Sequence, residues 1–124
     1  MRKFLSVLTL ALVLAASVIA YAHEKNHSKA GQSVTVQGEV LDSACYFTHE
    51  ARGKGHEECA TKCIQKGIPM ALIDSKGELY LLNEDHEKTE PYNQLKNMAA
   101  KNVTVTGNLV QKQGWKVLFV QSVK

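Results

Sequence analysis

The sequence predicts a mostly β domain: a five-stranded OB-fold-like barrel with two short helices, one of them in a cysteine-bearing insertion between strands one and two. Three observations carry this prediction. Five runs have strand character, and a helical segment lies between the third and the fourth, which is the element order of the small five-stranded Greek-key barrel. Glycines interrupt the first and fourth runs at matching places, where a small barrel needs sharply bent strands. The first connection, residues 42–69, carries its own helical pattern and all three cysteines.

The first strand is Val34–Leu41, in which Val34, Val36 and Val40 alternate with Thr35, Gln37 and Glu39 around Gly38. Residues 42–55 hold no clear period and read as loop. A helix follows over about 56–66: Glu57 and Glu58 suit its first turn and Lys62 and Lys66 its last, while Gly67 at C′ and Pro69 beyond it stop the helix. Met70–Ile73 and Glu78–Leu82 are strands joined by the turn Asp74-Ser75-Lys76-Gly77. Residues 83–90 form a polar, acidic loop. Pro91 opens a short helix to about Ala100, with Tyr92, Leu95 and Met98 or Ala99 inward. Val103–Val110 is the fourth strand and Trp115–Val123 the fifth, joined by Gln111-Lys112-Gln113-Gly114. The segment 33–41, SVTVQGEVL, is echoed by 102–110, NVTVTGNLV, so two strands are expected to bend at the same relative place.

Residues 1–22 read as a cleavable export signal. Arg2 and Lys3 precede an uncharged run, Phe4 to Ala20, and Ala20-Tyr21-Ala22 is an A-x-A cleavage site. The expected organisation is therefore signal peptide 1–22, flexible lead-in 23–33 and barrel domain 34–124, with a periplasmic or secreted product. Losing Arg2 and Lys3 from the 15 basic residues leaves 13 against 12 acidic ones. So nearly neutral a domain is a poor nucleic-acid binder, because that affinity comes mainly from neutralised phosphates. No membrane attachment is expected after cleavage.

Short stretches in and around the insertion resemble those of a group of small exported bacterial OB-fold domains. They are Gly38-Glu39-Val40, then Asp42 to Tyr46 (Asp-Ser-Ala-Cys-Tyr), then His56 to Cys63 (His-x-x-Cys-Ala-x-x-Cys), then Gly67-Ile68-Pro69. The likeness covers most of residues 34–123. What it implies is the barrel; it implies no activity, and fold alone does not give function.

The chemistry concentrates on Cys45, Cys59, Cys63 and His56. Exported proteins usually pair their cysteines, and three is odd, so one thiol is free, bound to a metal or joined to another molecule. Cys59 and Cys63, four apart, face one side of a helix, and Cys45 can fold back towards it. Three thiolates and an imidazole form a tetrahedral zinc set, and thiolates also suit copper(I). His56 is the weaker fourth ligand: in one straight helix it would stand about 10.5 Å from Cys63 along the axis. It must then lie before the first turn, or yield its place to His49, to His23 or His27, or to an external ligand.

Two other readings stay open. The cysteines can pack as small hydrophobes beside Ala60 and Ile64. Alternatively, Cys45 can pair with Cys59 or Cys63, a staple that would add about 3 kcal/mol in the chain-entropy model. A thiol redox role lacks a C-x-x-C motif. His86, among Glu84, Asp85, Glu87 and Glu90, reads as a solvated loop residue, and Trp115 as a packing residue at the barrel edge. No Ser/His/Asp pattern, phosphate loop or catalytic carboxylate pair is present. The expectation is a non-enzymatic domain that binds zinc or copper(I) through its Cys/His cluster. The alternative is a periplasmic interaction module with a disulfide-tied loop, and in either case a protein or peptide is the expected partner for the barrel face.

Overall fold

A computed structural model of the protein describes residues 31–124. The expected signal peptide and most of the expected lead-in lie outside the described residues. In chain order the elements are β1 (Gln32–Asp42), α1 (Ser43–His49), a 3-10 turn (Lys54–His56), α2 (Glu57–Gln65), β2 (Met70–Asp74), β3 (Leu79–Glu84), α3 (Glu90–Leu95), β4 (Asn102–Lys112) and β5 (Trp115–Val123). The strands close into a barrel in the order β1-β2-β3-β5-β4. All pairs are antiparallel except β3 with β5. This is the OB-fold-like barrel the element order predicts, with the helical, cysteine-bearing segment between β1 and β2.

The sequence echo has a geometric meaning. β1 and β4 pair antiparallel with Val36 opposite Val105, Val34 opposite Gly107 and Gly38 opposite Val103. The echo superposes Val36 on Val105 and Gly38 on Gly107, so a local twofold axis passes through the Val36–Val105 pair. Each glycine meets the strand on its far side closely. A Cβ on Gly38 would fall on the Ile73 carbonyl of β2, and one on Gly107 on the Phe119 carbonyl of β5. The bends are thus approaches too close for any side chain. β5 also takes a bulge opposite Thr106 and Gly107, which adds local twist.

The barrel interior holds Val40, Met70, Leu72, Leu82, Val103, Val105, Leu118 and Val120; α3 contributes Leu95 to the same core, Ala99 follows it, and α2 contributes Ala60 and Ile64. A second, smaller cluster of Leu41, Ala71 and Ile73 lies on the other face of β1 and β2, where Tyr46 of α1 and Leu79 pack against it. The end of β1 is therefore buried on both faces, and both cysteine-bearing helices are seated on it or beside it.

Several boundaries differ from the sequence reading, each for a physical reason. Ser43–His49 is helical, not loop. β1 starts at Gln32 because Gln32 and Ser33 still pair with β4. β3 runs on to Glu84 because residues 81–84 pair with residues 117–120 of β5. α3 ends at Leu95, earlier than expected: the chain then makes shorter turns, such as Met98 N–H to Leu95 C=O at 2.9 Å, and Ala100 donates to the Val40 carbonyl at 2.8 Å. Part of the acidic segment is structural. Asp85 is buried, accepting from the Glu87 backbone at 3.1 Å and from the Gln121 amide at 3.2 Å.

Candidate metal centre

The insertion begins and ends on one hydrogen bond, Ser43 N–H to Pro69 C=O at 3.0 Å, beside the Asp42–Met70 pair that closes the β1–β2 ladder. Everything between is built outward from Asp42. Its backbone is still extended, at φ −80° and ψ 129°, while one carboxylate oxygen accepts the Cys45 N–H at 2.8 Å. That is the geometry of a helix N-cap, and it starts α1. The helix stops at Glu50, which takes the left-handed conformation at φ 53°. The other oxygen of Asp42 meets His56 Nε2 at 3.0 Å. His56 ends the 3-10 turn and stands at the N-cap position of α2. Both cysteine-bearing helices are therefore tied at their first residues to one carboxylate, whose side chain has no exposed surface.

The loop between the helices is held to the barrel at a second point, where Gly53 N–H donates to the Glu39 carboxylate of β1. Gly53 has φ 76°, in the left-handed region that favours glycine. α2 ends in a Schellman motif: Gly67 N–H bonds Ile64 C=O at 2.9 Å, and Ile68 N–H bonds Cys63 C=O at 3.1 Å. This is the stop that Gly67 and Pro69 predict, and it fixes the backbone of Cys63.

Ala60 and Ile64 form the buried face of α2. Cys59 and Cys63 sit one position before each, so they flank that face. Cys59 is exposed, and Cys45 and Cys63 are half-buried. Packing as small hydrophobes accounts for Ala60 and Ile64, but not for an exposed Cys59. All three cysteines are thiols, and their sulfurs lie within 4.8 Å of one another. A second group, Asp42, Cys45 and His56, meets the same limit.

The structure thus places the singled-out residues that lie among those it describes. Cys45, Cys59 and Cys63 converge. His56 lies before the first turn of α2, as a ligand role would require, but its ring is directed to Asp42 and its group shares only Cys45 with the thiol triad. His49 stands four residues after Cys45 on α1 and His86 lies in the acidic segment; neither belongs to either group among the described residues. His23 and His27 lie outside the described residues. Asp42 is the site residue that sequence reasoning missed. The signal for it was present: an aspartate directly after a strand and three residues before a cysteine is an N-cap candidate.

The electrostatics set Cys45 apart. Its thiol is pushed up to about 12, first by the hydrogen bond to the Asp42 carboxylate, then by loss of solvent, by the negative charge of Asp42 and by Cys63. A thiol rather than a thiolate is therefore the resting form at neutral pH, and thiolate is the species that alkylates. At pH 8 far less of Cys45 is ionised than of an ordinary cysteine. In reduced, metal-free protein treated with iodoacetamide at pH 8, Cys59 is expected to label first and Cys45 last, read by peptide mass spectrometry. Labelling of Cys45 ahead of Cys59 would contradict this geometry.

A cation changes the balance. Metal ligation needs the deprotonated thiolate and releases its proton, and a positive ion among three sulfurs favours that form. Elsewhere on α1, Phe47 is 66% exposed, and Trp115 at the start of β5 is 60% exposed. The two line a groove of about 370 Å³ with Ala71, Leu79 and Leu81. Trp115, expected as a packing residue at the barrel edge, is thus mostly exposed and lines this groove. Compared with models of protein families, with curated proteins and with solved structures, the chain finds no match.

Proposed function

We propose that this protein is an exported, non-enzymatic domain that holds zinc or copper(I) on Cys45, Cys59 and Cys63. One observation carries the reading: three sulfurs from two separate helices lie within 4.8 Å of one another on a rigid barrel. Donors bound to one ion at about 2.3 Å stand about 3.8 Å apart in a tetrahedral site, so the triad needs only small side-chain adjustments. Exposure of Cys59 leaves a coordination position open to solvent, which suits a site that exchanges its ion. Arg2 and Lys3, the uncharged run Phe4 to Ala20 and the A-x-A sequence at residues 20–22 support export.

Metal analysis and titration of reduced protein, purified from the exported fraction, test this. Cobalt(II) is expected to give sulfur-to-metal charge-transfer absorption, displaced by zinc. Second-sphere losses cost 10–100-fold in affinity, so Cys63→Ser, which removes a ligand, is expected to weaken zinc binding by more than about 100-fold. A reduced wild-type protein with no such absorption and no bound metal would end the proposal.

A second reading rests on the Phe47–Trp115 groove. In it the domain is an interaction module for a protein or peptide, and Cys45 is joined to Cys59 or Cys63 by a disulfide. Intact mass with and without reductant separates the two: a loss of two hydrogens mapped to a Cys45-containing peptide pair favours the staple.

A further inference from the structure

Cys45 belongs to two sets of donors. Its sulfur lies within 4.8 Å of the Cys59 and Cys63 sulfurs, and also within 4.8 Å of an Asp42 oxygen and a His56 ring nitrogen. Two atoms bound to one ion through bonds of up to about 2.3 Å stand no more than about 4.6 Å apart. The two sets share no member but Cys45, so one ion does not gather all five donors as they stand. We propose that the centre takes two cations bridged by the Cys45 thiolate: one on the three sulfurs, and a second of the zinc class on Asp42, Cys45 and His56. This rests on the reading of the triad as a metal site and adds a second occupant to it.

The donors of the second set define its chemistry. Oxygen, nitrogen and sulfur together are accepted by zinc, whereas copper(I) selects soft sulfur. The second position therefore discriminates against copper(I) even if the triad accepts it. Its geometry is nearly open. The Asp42 oxygen and His56 Nε2 are 3.0 Å apart, and donors about 2.05 Å from a tetrahedral ion stand about 3.3 Å apart. Entry of the ion requires a separation of a few tenths of an ångström and release of the proton between the two groups to solvent. The other Asp42 oxygen keeps its 2.8 Å bond to Cys45 N–H, so the cap of α1 survives. Solvent reaches the position through His56, whose side chain is 19% exposed.

Charge favours double occupancy. Three thiolates and the Asp42 carboxylate carry one negative charge each, which two divalent cations balance. One divalent cation on the three sulfurs alone leaves that centre with a net negative charge beside the fully buried Asp42 carboxylate, which only hydrogen bonds from His56 and Cys45 N–H then offset.

Native mass spectrometry of the reduced, exported protein under zinc titration tests this. Wild type is expected to saturate at two zinc ions per chain, His56→Gln at one, and wild type titrated with copper(I) to leave the second position empty. His56→Gln keeps an N–H donor for Asp42, and circular dichroism verifies its fold; Asp42→Asn, which keeps the cap acceptor, is the second variant and is also expected to bind one. Saturation of wild type at one zinc, or two ions retained in both variants, overturns the second position while the triad reading stands. No zinc on the wild type overturns both.

Discussion

Alanine at Gly107 is expected to destabilise the domain by about 3 kcal/mol or more, among the larger effects available to a single substitution. The added Cβ would fall on the Phe119 carbonyl oxygen, with the carbonyl carbon 3.0 Å away. These are backbone atoms of a paired strand, so no side-chain rotation relieves the clash; β4 and β5 must separate, and they carry the ladder that closes the barrel. For a domain of this size the loss corresponds to a midpoint about 12 °C lower or more. Gly38→Ala is expected to cost a comparable amount, because the local twofold places Gly38 against the Ile73 carbonyl in the same way, with its carbon 2.8 Å from the new Cβ. Gly55 is the control: a Cβ there meets nothing within 4 Å, and Gly55→Ala should stay within about 0.5 kcal/mol of wild type. Chemical denaturation of the three variants decides it. A Gly107→Ala midpoint indistinguishable from that of Gly55→Ala would show that the strands are not held this closely.

Those two glycines also show why the barrel was legible in the sequence. A strand pattern interrupted by glycine at the same place in two runs is a statement about backbone approach, and it survives without knowledge of partners. The helix stop at Gly67 and Pro69 was legible for a similar reason, since left-handed backbone and a missing N–H are local properties. α1 was not legible, because Ser-Ala-Cys-Tyr-Phe-Thr-His has no apolar period. It buries no residue fully and is held by a cap and by Tyr46 against Leu41, Ala71 and Ile73. A helix that owes its place to one capping carboxylate and one aromatic contact leaves little periodic trace. The thiol triad was half legible: the four-residue spacing of Cys59 and Cys63 fixes their common face, but the approach of Cys45 depends on where α1 points. The role of Asp42 was hidden for the same reason, since its second oxygen serves a residue fourteen positions away that only the fold brings near.

That dual role makes Asp42→Ala the substitution expected to disturb the candidate site most without removing a sulfur. Loss of an N-cap costs about 1 kcal/mol, and a hydrogen bond to a charged group adds roughly 1.5–3 kcal/mol. The two bonds share one side chain and do not simply add, so a total of about 2–4 kcal/mol is expected by denaturation of metal-free protein. Asp42→Asn keeps an oxygen for Cys45 N–H and should lose less than half as much. Stability alone would not separate a site residue from a structural one, but Cys45 supplies a reading that does. Its thiol is raised chiefly by Asp42, so without that carboxylate the thiol falls back towards the ordinary cysteine range and more thiolate is present at pH 8. Alkylation of Cys45 by iodoacetamide should therefore quicken in Asp42→Ala under conditions where circular dichroism shows the barrel intact. Cobalt(II) binding to the triad should release fewer protons at pH 8 in Asp42→Ala than in wild type, because Cys45 is already partly ionised before the metal arrives. A variant that loses stability but alkylates Cys45 no faster than wild type and releases as many protons on binding cobalt(II) would make Asp42 a cap and nothing more.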